Sequence, residues 1–162
     1  MYNIFYSALK DYDMNINLKQ IFSIVGEKKD FSYEIPAEEF SDVKGYSFDS
    51  AVELSGKLHN RAGVVYLDYS VVFRLLLNCD RCLKEFTREY DLSFDHIVVP
   101  YVSNDDNDDY IVADGESIDL NEIALNDILL SLPTKILCRD DCRGLCAVCG
   151  CDLNEKQCDH LN

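Results

Sequence analysis

Residues 137–160 read LCRDDCRGLCAVCGCDLNEKQCDH and contain six of the eight cysteines of the 162-residue chain. The other two cysteines, Cys79 and Cys82, form a Cys-x-x-Cys pair in the middle of the sequence. Such short spacings let two thiolates point at one ion from a single tight turn, and a tetrahedral zinc ion needs two such pairs. The glycine after Cys149 permits the positive φ that lets backbone N–H groups fold over the sulfurs. The stretch therefore predicts a structural metal ion, zinc, held by cysteines.

The candidate metal ligands form four sequence pairs, which suffice for two tetrahedral sites. We expect a hairpin site, which ties the root of the C-terminal tail to the mid-chain pair, and a separate tail site. The hairpin site consists of Cys79, Cys82, Cys138 and Cys142, and the tail site consists of Cys146, Cys149, Cys158 and His160. Cys151 is left spare by this division. A single zinc ion bound only within the tail is the alternative.

Other chemistries for these cysteines fit the sequence less well. The spacings differ from those of ferredoxin iron–sulfur clusters, and a catalytic zinc ion normally keeps three protein ligands and an open water position. A thioredoxin-like role for Cys79 and Cys82 requires that the pair open a helix in a βαβ unit, but here it follows a predicted strand. The sequence also has no His-Glu-x-x-His, no Gly-x-Ser-x-Gly and no phosphate-binding loop. We therefore expect no enzymatic activity.

Composition indicates an acidic globular protein. Hydrophobic residues make up 48% of the sequence, which is enough for a core in one domain with a small metal-bound appendage. The formal net charge is -15, from 30 acidic and 15 basic residues. The N-terminus lacks the basic and apolar segments of a signal peptide, and no run of about 18 apolar residues is present to span a membrane. We expect a cytoplasmic protein with reduced thiols, which favours metal ligation over disulfides.

The middle of the chain alternates apolar and polar residues with the period of a β-strand. This alternation predicts strands at residues 30–35, 52–58, 65–77 and 86–94. Residues 59–63 predict a hairpin turn, and the Cys79–Cys82 pair lies in the next turn. Consecutive strands joined by short turns favour an α+β fold built on an antiparallel meander or open barrel.

A helix is predicted on each side of these strands. The first begins at Asn17 and ends at Gly26, with apolar residues at helical spacing between them. The second begins at Asp119, which caps it together with Glu122 as in a capping box, and ends at Pro133. The second helix delivers the chain directly to the cysteine-rich tail.

An acidic segment precedes the second helix. Residues 101–119 hold seven acidic residues and no basic one, and residues 104–109 are interpreted as a solvated loop. A calcium loop and a docking surface for a basic partner are the alternatives, although the EF-hand order is absent. The chain then divides into residues 1–13, an extension or a segment upstream of a true start at Met14; residues 14–133, a β-rich core domain with a C-terminal helix; and residues 134–162, a zinc-binding tail docked on the core.

Several motifs together identify a family resemblance. They are Cys79-Asp-Arg-Cys82-Leu83 after a long strand, Asp119-Leu120, Leu132-Pro133, and Cys138 followed by Cys142-Arg-Gly-Leu-Cys146-x-x-Cys149-Gly150-x-x-Leu153-Asn154 and Cys158. In these motifs the chain resembles the YceD family, the large ribosomal RNA subunit accumulation proteins of bacteria and plastids, from about Met14 to the C-terminus. Family members often end in Cys-x-Cys where this chain has Cys158-Asp159-His160, and a histidine in that place keeps a zinc ligand.

The resemblance implies a non-enzymatic factor needed for large-subunit ribosomal RNA to accumulate, in processing or assembly. Acidity favours contact with a pre-ribosomal particle or a basic ribosomal protein over naked RNA, because phosphate contacts need Lys or Arg. The competing interpretation is a small RNA-reading basic patch of Arg81, Lys84, Arg139 and Arg143. A zinc- or redox-responsive thiol protein is the alternative function. A zinc-dependent hydrolase or nuclease is disfavoured by the missing acid–base constellation.

Overall fold

The computed structural model describes residues 14–101 and 110–160. Eight strands, two helices and a 3₁₀ turn follow one another along this part of the chain. They are β1 (Asn15–Asn17), α1 (Lys19–Ser23), β2 (Lys28–Ile35), the 3₁₀ turn (Ala37–Phe40), β3 (Ser47–Phe48), β4 (Val52–Arg61), β5 (Val64–Asn78), β6 (Glu85–Val99), β7 (Tyr110–Val112), β8 (Ser117–Asp119) and α2 (Leu120–Ser131).

The main sheet has six strands in the order β2-β4-β5-β6-β7, with β3 added beside β5. All of its pairings are antiparallel except that of β6 with β7, which is parallel. A separate two-stranded ribbon joins β1 to β8. The predicted α+β architecture of an antiparallel sheet with a C-terminal helix is confirmed, and the sheet is open, not a closed barrel.

Strand β5 is central and fills the core. Every second side chain from Val65 to Leu77 is at most 4% exposed, and fully burying one aliphatic side chain of this size stabilises the fold by about 1.5–3 kcal/mol. The same alternation continues into β4 and β6, so one face of the sheet is buried and the other faces solvent. Helix α2 packs on the buried face.

Helix α2 begins at the predicted cap and ends at Ser131, two residues before Pro133. The Asp119 side chain caps it by accepting hydrogen bonds from the backbone N–H groups of Asn121 and Glu122. Later in the helix, Asp127 accepts a hydrogen bond from the Tyr69 hydroxyl and lies 2.6 Å from Nε2 of His96. These contacts attach the helix to β5 and β6, and burial together with Asp127 raises the pKa of Tyr69.

The turn between β4 and β5 is tighter than the predicted turn over residues 59–63. Strand β4 continues to Arg61, and only Ala62 and Gly63 form the loop, with φ of 54° and 90°. Two consecutive positive φ angles are those of a type I′ turn, whose twist matches the twist of the flanking strands. The predicted hairpin turn is therefore present, but its loop has two residues instead of five.

The predicted helix from Asn17 to Gly26 is shorter in the structure. Helix α1 ends at Ser23, and Val25, expected on its apolar face, is 68% exposed. The backbone N–H of Gly26 instead bonds the Asn60 carbonyl at 2.9 Å, which draws the chain towards β4. Tertiary hydrogen bonding has overridden the helical pattern.

Two predicted segments fall on residues that the structure does not describe. The N-terminal residues 1–13 and the acidic run at residues 104–109 both lie outside the described ranges. Within 110–119, which was not predicted to be regular, the chain forms β7 and β8. In the described residues, no helix has the length and apolar character required to span a membrane.

Candidate metal sites

The tip of the β5–β6 hairpin presents the first cysteine pair. The chain turns back after Cys79, whose N–H bonds the Lys84 carbonyl at 2.9 Å, while the N–H of Leu83 returns to the Cys79 carbonyl at 2.9 Å. Leu83 takes a positive φ of 58° to close this turn. The two thiols of the pair therefore point to the same side of the hairpin, and Cys79 is fully buried.

The structure brings Cys138 and Cys142 of the tail onto this pair. The Sγ atoms of Cys79 and Cys142 are 3.7 Å apart, as are those of Cys82 and Cys138, and all four sulfurs lie within 4.8 Å of one another. A tetrahedral zinc ion with Zn–S bonds of about 2.3 Å separates its sulfurs by about 3.8 Å. The observed distances fit metal ligation, and all eight cysteines are free.

The thiols of the hairpin site differ in pKa. Burial raises the pKa of Cys79, but backbone N–H groups of Cys138, Cys82 and Arg81 outweigh it and lower that pKa to about 6. Burial and the neighbouring thiols raise the pKa of Cys138 to about 12. Four thiolates in one pocket repel one another without a cation. The arrangement therefore suits a divalent ion, whose charge would stabilise all four in the thiolate form.

Polar side chains fix the root of the tail on the hairpin. Arg81 Nη1 donates to the Cys142 carbonyl at 2.7 Å, and Arg88 Nη2 donates to the Leu137 carbonyl at 2.6 Å. Asp80 is held twice by Ile136: its N–H bonds the Ile136 carbonyl at 2.8 Å, and its carboxylate accepts from the Ile136 N–H at 2.6 Å. The hairpin thus orients the tail cysteines through their neighbouring backbone.

The tail site gathers Cys146, Cys149, Cys158 and His160, whose ligand atoms also lie within 4.8 Å of one another. Cys146 is buried, but Cys149 and His160 are exposed. Backbone N–H groups of Cys149 and Val148 lower the pKa of Cys146 to about 6, and the Val148 N–H lies 3.4 Å from its sulfur. This is the thiolate-binding turn expected around a Cys-x-x-Cys pair.

Cys151 lies beside this site. Its thiol interacts with those of Cys149 and Cys158, and together with burial these neighbours raise its pKa to about 12. The group of four ligand atoms nevertheless includes His160 and not Cys151. Cys151 is therefore a fourth thiol beside the three of the tail site. The sequence predicted it to be spare but did not predict that it would lie so close.

Asn154 connects the two sites. Its Nδ2 lies 3.5 Å from Sγ of Cys142 in the hairpin site, although Asn154 itself belongs to the loop between the tail-site pairs. Its Oδ1 accepts from the Arg143 N–H at 2.7 Å and from Arg139 Nη2 at 2.9 Å. An amide N–H directed at a metal-binding sulfur orients that ligand and stabilises its charge. Sequence reasoning placed Asn154 in a motif but gave it no role.

A second connection runs through the backbone at Gly144. Gly144 has a φ of 77°, and a Cβ there would lie 3.0 Å from the Arg81 carbonyl oxygen. Next to it, the Leu145 N–H donates to that same carbonyl at 3.2 Å, and the Gly144 carbonyl accepts from the Leu153 N–H at 2.9 Å. The close approach explains the glycine, and it fixes the tail site against the hairpin.

The four basic residues proposed as an RNA-reading patch have mixed surroundings. Arg81 donates to the tail backbone, and Arg139 pairs with Asp141 at 3.2 Å between Nε and Oδ1. Lys84 and Arg139 line a cleft of about 300 Å³ that Asp152 and Glu155 also line. Carboxylates are thus interleaved with the cations, which weakens the attraction of this surface for phosphate.

Comparison with known proteins assigns the chain to a family. The sequence profile described as "Large ribosomal RNA subunit accumulation protein YceD" matches residues 67–162, which include most of β5, all of β6 and α2, and both candidate metal sites. "Uncharacterized protein YlbN" of Bacillus subtilis (strain 168) is 25% identical over 93 residues, which are 57% of this chain and 54% of the relative. The match thus spans about half the length of that curated relative. No solved structure matches the chain.

Proposed function

Because the chain belongs to the YceD family of large ribosomal RNA subunit accumulation proteins, we propose that it is a non-enzymatic, zinc-stabilised factor acting in large-subunit assembly or processing. In this proposal the protein is cytoplasmic and binds a pre-ribosomal particle or a basic ribosomal protein. The observation that carries it is the position of the family match, which contains both metal sites.

We propose zinc as the metal of both sites. The two sites together offer seven thiols and one imidazole, and such ligands select zinc over calcium or magnesium, which prefer oxygen ligands. The proposed ligands are Cys79, Cys82, Cys138 and Cys142 for one ion, and Cys146, Cys149, Cys158 and His160 for the other. When bound, zinc would cross-link the turns that carry these ligands, and the chain would supply contact surface rather than an open coordination position.

The turns around the two sites supply candidate contact residues. Leu83 at the hairpin tip is 68% exposed, and Val148 at the tail knuckle is 71% exposed. Apolar side chains on turns held rigid by metal lose little conformational entropy on binding, which favours their use in recognition. We propose that these two tips make the specific contact with the partner.

Charge favours protein over naked RNA as the direct partner. The net charge of -15 repels phosphates, and binding that relies on Lys and Arg contacts falls steeply with salt. Basic ribosomal proteins are instead attracted to an acidic surface, which raises their rate of encounter. The protein would then act on ribosomal RNA through a protein already bound to it.

Affinity purification from growing cells tests the proposal. We expect large-subunit precursors or a basic large-subunit protein to co-purify with the unmodified protein, and Leu83→Ser with Val148→Ser to reduce the recovered amount. A matched control is Leu130→Ser, because Leu130 is also an exposed leucine, at 85%, but lies on α2 away from both sites. Recovery of no ribosomal component would contradict the proposed function.

A gel shift at about 150 mM salt distinguishes direct binding to ribosomal RNA from binding through a protein partner. Arg81 and Arg139 hold the tail, so their reversal would disturb the fold. Lys84→Glu with Arg143→Glu is the cleaner variant, and Lys28→Glu with Lys29→Glu on β2 is its control. We expect weak binding to ribosomal RNA that neither pair changes. Tight, salt-sensitive binding lost only in the first variant would favour direct RNA recognition.

A zinc- or redox-responsive thiol protein is the second candidate function. It is favoured by the exposure of Cys149 and by the contact of Cys151 with two tail-site thiols. Titration of free thiols with and without chelator tests it. A sensor would release zinc on reaction at one or two thiols while the sheet stays folded. In a purely structural zinc protein, only the spare Cys151 would react before the chelator removes the metal, and that reaction would release no zinc.

A further inference from the structure

In the described residues 14–101 and 110–160, the long edge of β6 is open along most of its length. Strand β6 pairs with β5 from Glu85 to Val98, but β7 covers its other side only at residues 97–99. Among the residues that the structure describes, no backbone hydrogen bond reaches residues 85–96 from that second side. In a strand, every second residue turns its N–H and C=O to a given edge, so this edge presents a row of unpaired groups ready to accept another strand.

The two faces of β6 define the strand that would fit. The solvent face carries only acidic and small hydroxyl side chains. The opposite face carries half-buried apolar side chains that pack against the core, together with Arg88, which donates to the Leu137 carbonyl, and His96, which contacts Asp127. The acidic residues are Glu85, Glu89, Asp91 and Asp95; the apolar residues are Phe86, Tyr90, Leu92 and Phe94. An added strand that alternates basic and apolar residues would pair its charges with the first set and extend the core over the second.

The cations nearest this face already have partners. Arg74, opposite Glu89 in the β5–β6 register, lies 3.8 Å from Asp49. Lys57 lies 3.4 Å from Asp68, which is opposite Asp95. The carboxylates of β6 therefore keep a net negative potential along the open edge, which selects a cationic strand.

A second copy of the chain fits this edge poorly. Pairing two β6 strands would place the Asp91 and Asp95 carboxylates of each copy beside those of the other, and like charges on neighbouring strands are destabilising. RNA would bring phosphates to the same carboxylates. The edge of β2 has mixed charges, because Lys28 and Lys29 precede Asp30 there. It would therefore be less selective for a basic strand than the edge of β6.

We propose that the open edge of β6 binds an extended, basic segment of a partner protein by strand addition. The inference rests on the proposed function in taking that segment from a basic ribosomal protein or an assembly particle. Backbone hydrogen bonds to residues 85–96 supply affinity, and the alternation of charge and apolar surface supplies specificity. The edge begins beside the hairpin site, where Phe86 packs against the cysteines, and runs away from it along β6. The protein would therefore hold its partner at the metal-bound turns and along the strand.

Amide hydrogen exchange of the full-length protein tests the edge. The probe is a ten-residue peptide that alternates Lys and Val, and the comparison probe is the same peptide with a methyl group on each backbone nitrogen. We expect the unmethylated peptide to protect every second amide within residues 85–96 and the methylated peptide to protect none. The methylated peptide keeps the charges, but its methyl groups block the close approach of the two backbones and remove its own N–H donors. No protection in this range, or equal binding of both peptides, would overturn strand addition.

A charge-reversed variant tests the specificity. The variant is Asp91→Lys with Asp95→Lys. Both positions are exposed, and position 95 lies opposite Asp68, so the new lysine there gains an acidic neighbour and we expect the variant to fold. We expect it to bind the peptide about tenfold more weakly. Glu38→Lys with Asp42→Lys, at exposed positions outside the sheet, makes the same change in net charge and should bind normally. Equal weakening in both variants would reduce the effect to overall charge and contradict the proposal.

Co-purification separates this inference from the proposed function. If the unmodified protein recovers large-subunit components and the Asp91→Lys, Asp95→Lys variant recovers several-fold less, both stand. If both proteins recover the same amount, the edge is not the contact, while the function is retained. If neither recovers them but the peptide still protects alternate β6 amides, the function fails and the edge remains a strand-binding site. Protection of β6 by a ribosomal RNA fragment instead of the peptide would overturn the protein partner.

Discussion

The hairpin site and the tail site use the same chemistry in different places. At the hairpin site, the paired sulfurs come from residues 63 and 56 positions apart in the chain, and Cys79 and Cys142 are at most 1% exposed. At the tail site, all four residues lie between positions 146 and 160, and Cys149 and His160 are exposed. One site joins distant parts of the fold, and the other organises a local loop.

This difference predicts different contributions to stability. Closing a long loop costs more conformational entropy than closing a short one, so a metal ion that holds a long loop closed is more strongly coupled to global folding. A short exposed loop can open by itself while the sheet stays folded. We therefore expect the hairpin-site ion to stabilise the whole domain and the tail-site ion to order mainly the last turns.

Substitution of one cysteine in each site gives the largest expected contrast. Cys79→Ser should remove the hairpin-site zinc and lower the free energy of unfolding by on the order of 5 kcal/mol, because it removes a buried ligand and the anchor of the tail. Cys149→Ser should remove the other zinc and change unfolding of the sheet by less than about 1 kcal/mol. Native mass spectrometry gives the zinc content, and urea unfolding followed by circular dichroism gives the stability.

Limited proteolysis adds a direct measure of the tail in these variants. In Cys79→Ser the segment after Pro133 should be cleaved readily, since its root has lost the hairpin. If that segment stays as resistant as in the unmodified protein, the two cysteine pairs do not share a metal ion. A zinc content of one in the unmodified protein would likewise contradict the two-site division.

Chelation should empty the two sites in order. With a strong chelator in excess, we expect the tail-site zinc to leave at least about tenfold faster than the hairpin-site zinc, because the tail site opens locally while Cys79 and Cys142 are buried. A colorimetric zinc indicator would record two phases of equal amplitude. In Cys149→Ser only the slow phase should remain; retention of the fast phase would reverse the assignment.

Local patterns in the sequence predicted the parts of the molecule that depend on nearby residues. The alternation in β5 and β6 was sufficient for their pairing, and Asp119 was recognisable as a helix cap. The division of cysteine pairs between two sites also followed from spacing, and the structure gathers the same two groups of four. The strands, the helix cap and each cysteine pair are set by turns and periodicities within about 20 residues. The meeting of the two pairs of the hairpin site, by contrast, joins residues 63 and 56 positions apart.

Contacts between distant residues were not predictable in the same way. The ribbon of β1 with β8 and the parallel pairing of β7 involve strands of only three residues, too short for a periodic signal. The end of α1 is determined by the hydrogen bond from Gly26 to Asn60. Arg88 gave no signal of its bond to the Leu137 carbonyl, because a single arginine in a strand is ordinarily a solvent-facing residue.

Loss of Asn154 should weaken the connection between the sites. Asn154→Ala removes the Nδ2 contact with Cys142 and two further hydrogen bonds that the amide oxygen accepts. Removing such an outer partner of a metal ligand typically lowers metal affinity about 10–100-fold. Competition with a fluorescent chelator should show this decrease at the hairpin site, although Asn154 lies in the tail loop. Asn126→Ala, at an exposed position of α2, is the matched control.

The smallest expected effect is a difference in zinc content that shows whether Cys151 or His160 is the fourth ligand of the tail site. Both lie beside the other three ligands, but the ligand atom of His160 is within 4.8 Å of all of them, whereas the Cys151 thiol interacts with Cys149 and Cys158 and has a pKa raised to about 12. The imidazole is therefore the better placed fourth ligand, because Cys151 lies outside that group of four ligand atoms. We therefore expect Cys151→Ser to retain two zinc ions and His160→Ala to lose the faster-released one.

Alkylation provides a second measurement on the same pair. With zinc bound, an alkylating reagent should modify Cys151 alone, without loss of metal, because the other thiols would be shielded as zinc thiolates. The reaction should be slow, because the raised pKa of Cys151 leaves little of it as thiolate. Loss of zinc from Cys151→Ser with full retention in His160→Ala would show that the thiol has replaced the imidazole as fourth ligand. Retention in both variants would mean that either residue can complete the site, and only the double variant would then empty it. That outcome would make the tail site more tolerant of ligand exchange than the hairpin site, where Cys79 has no such neighbour among the described residues outside its own four cysteines.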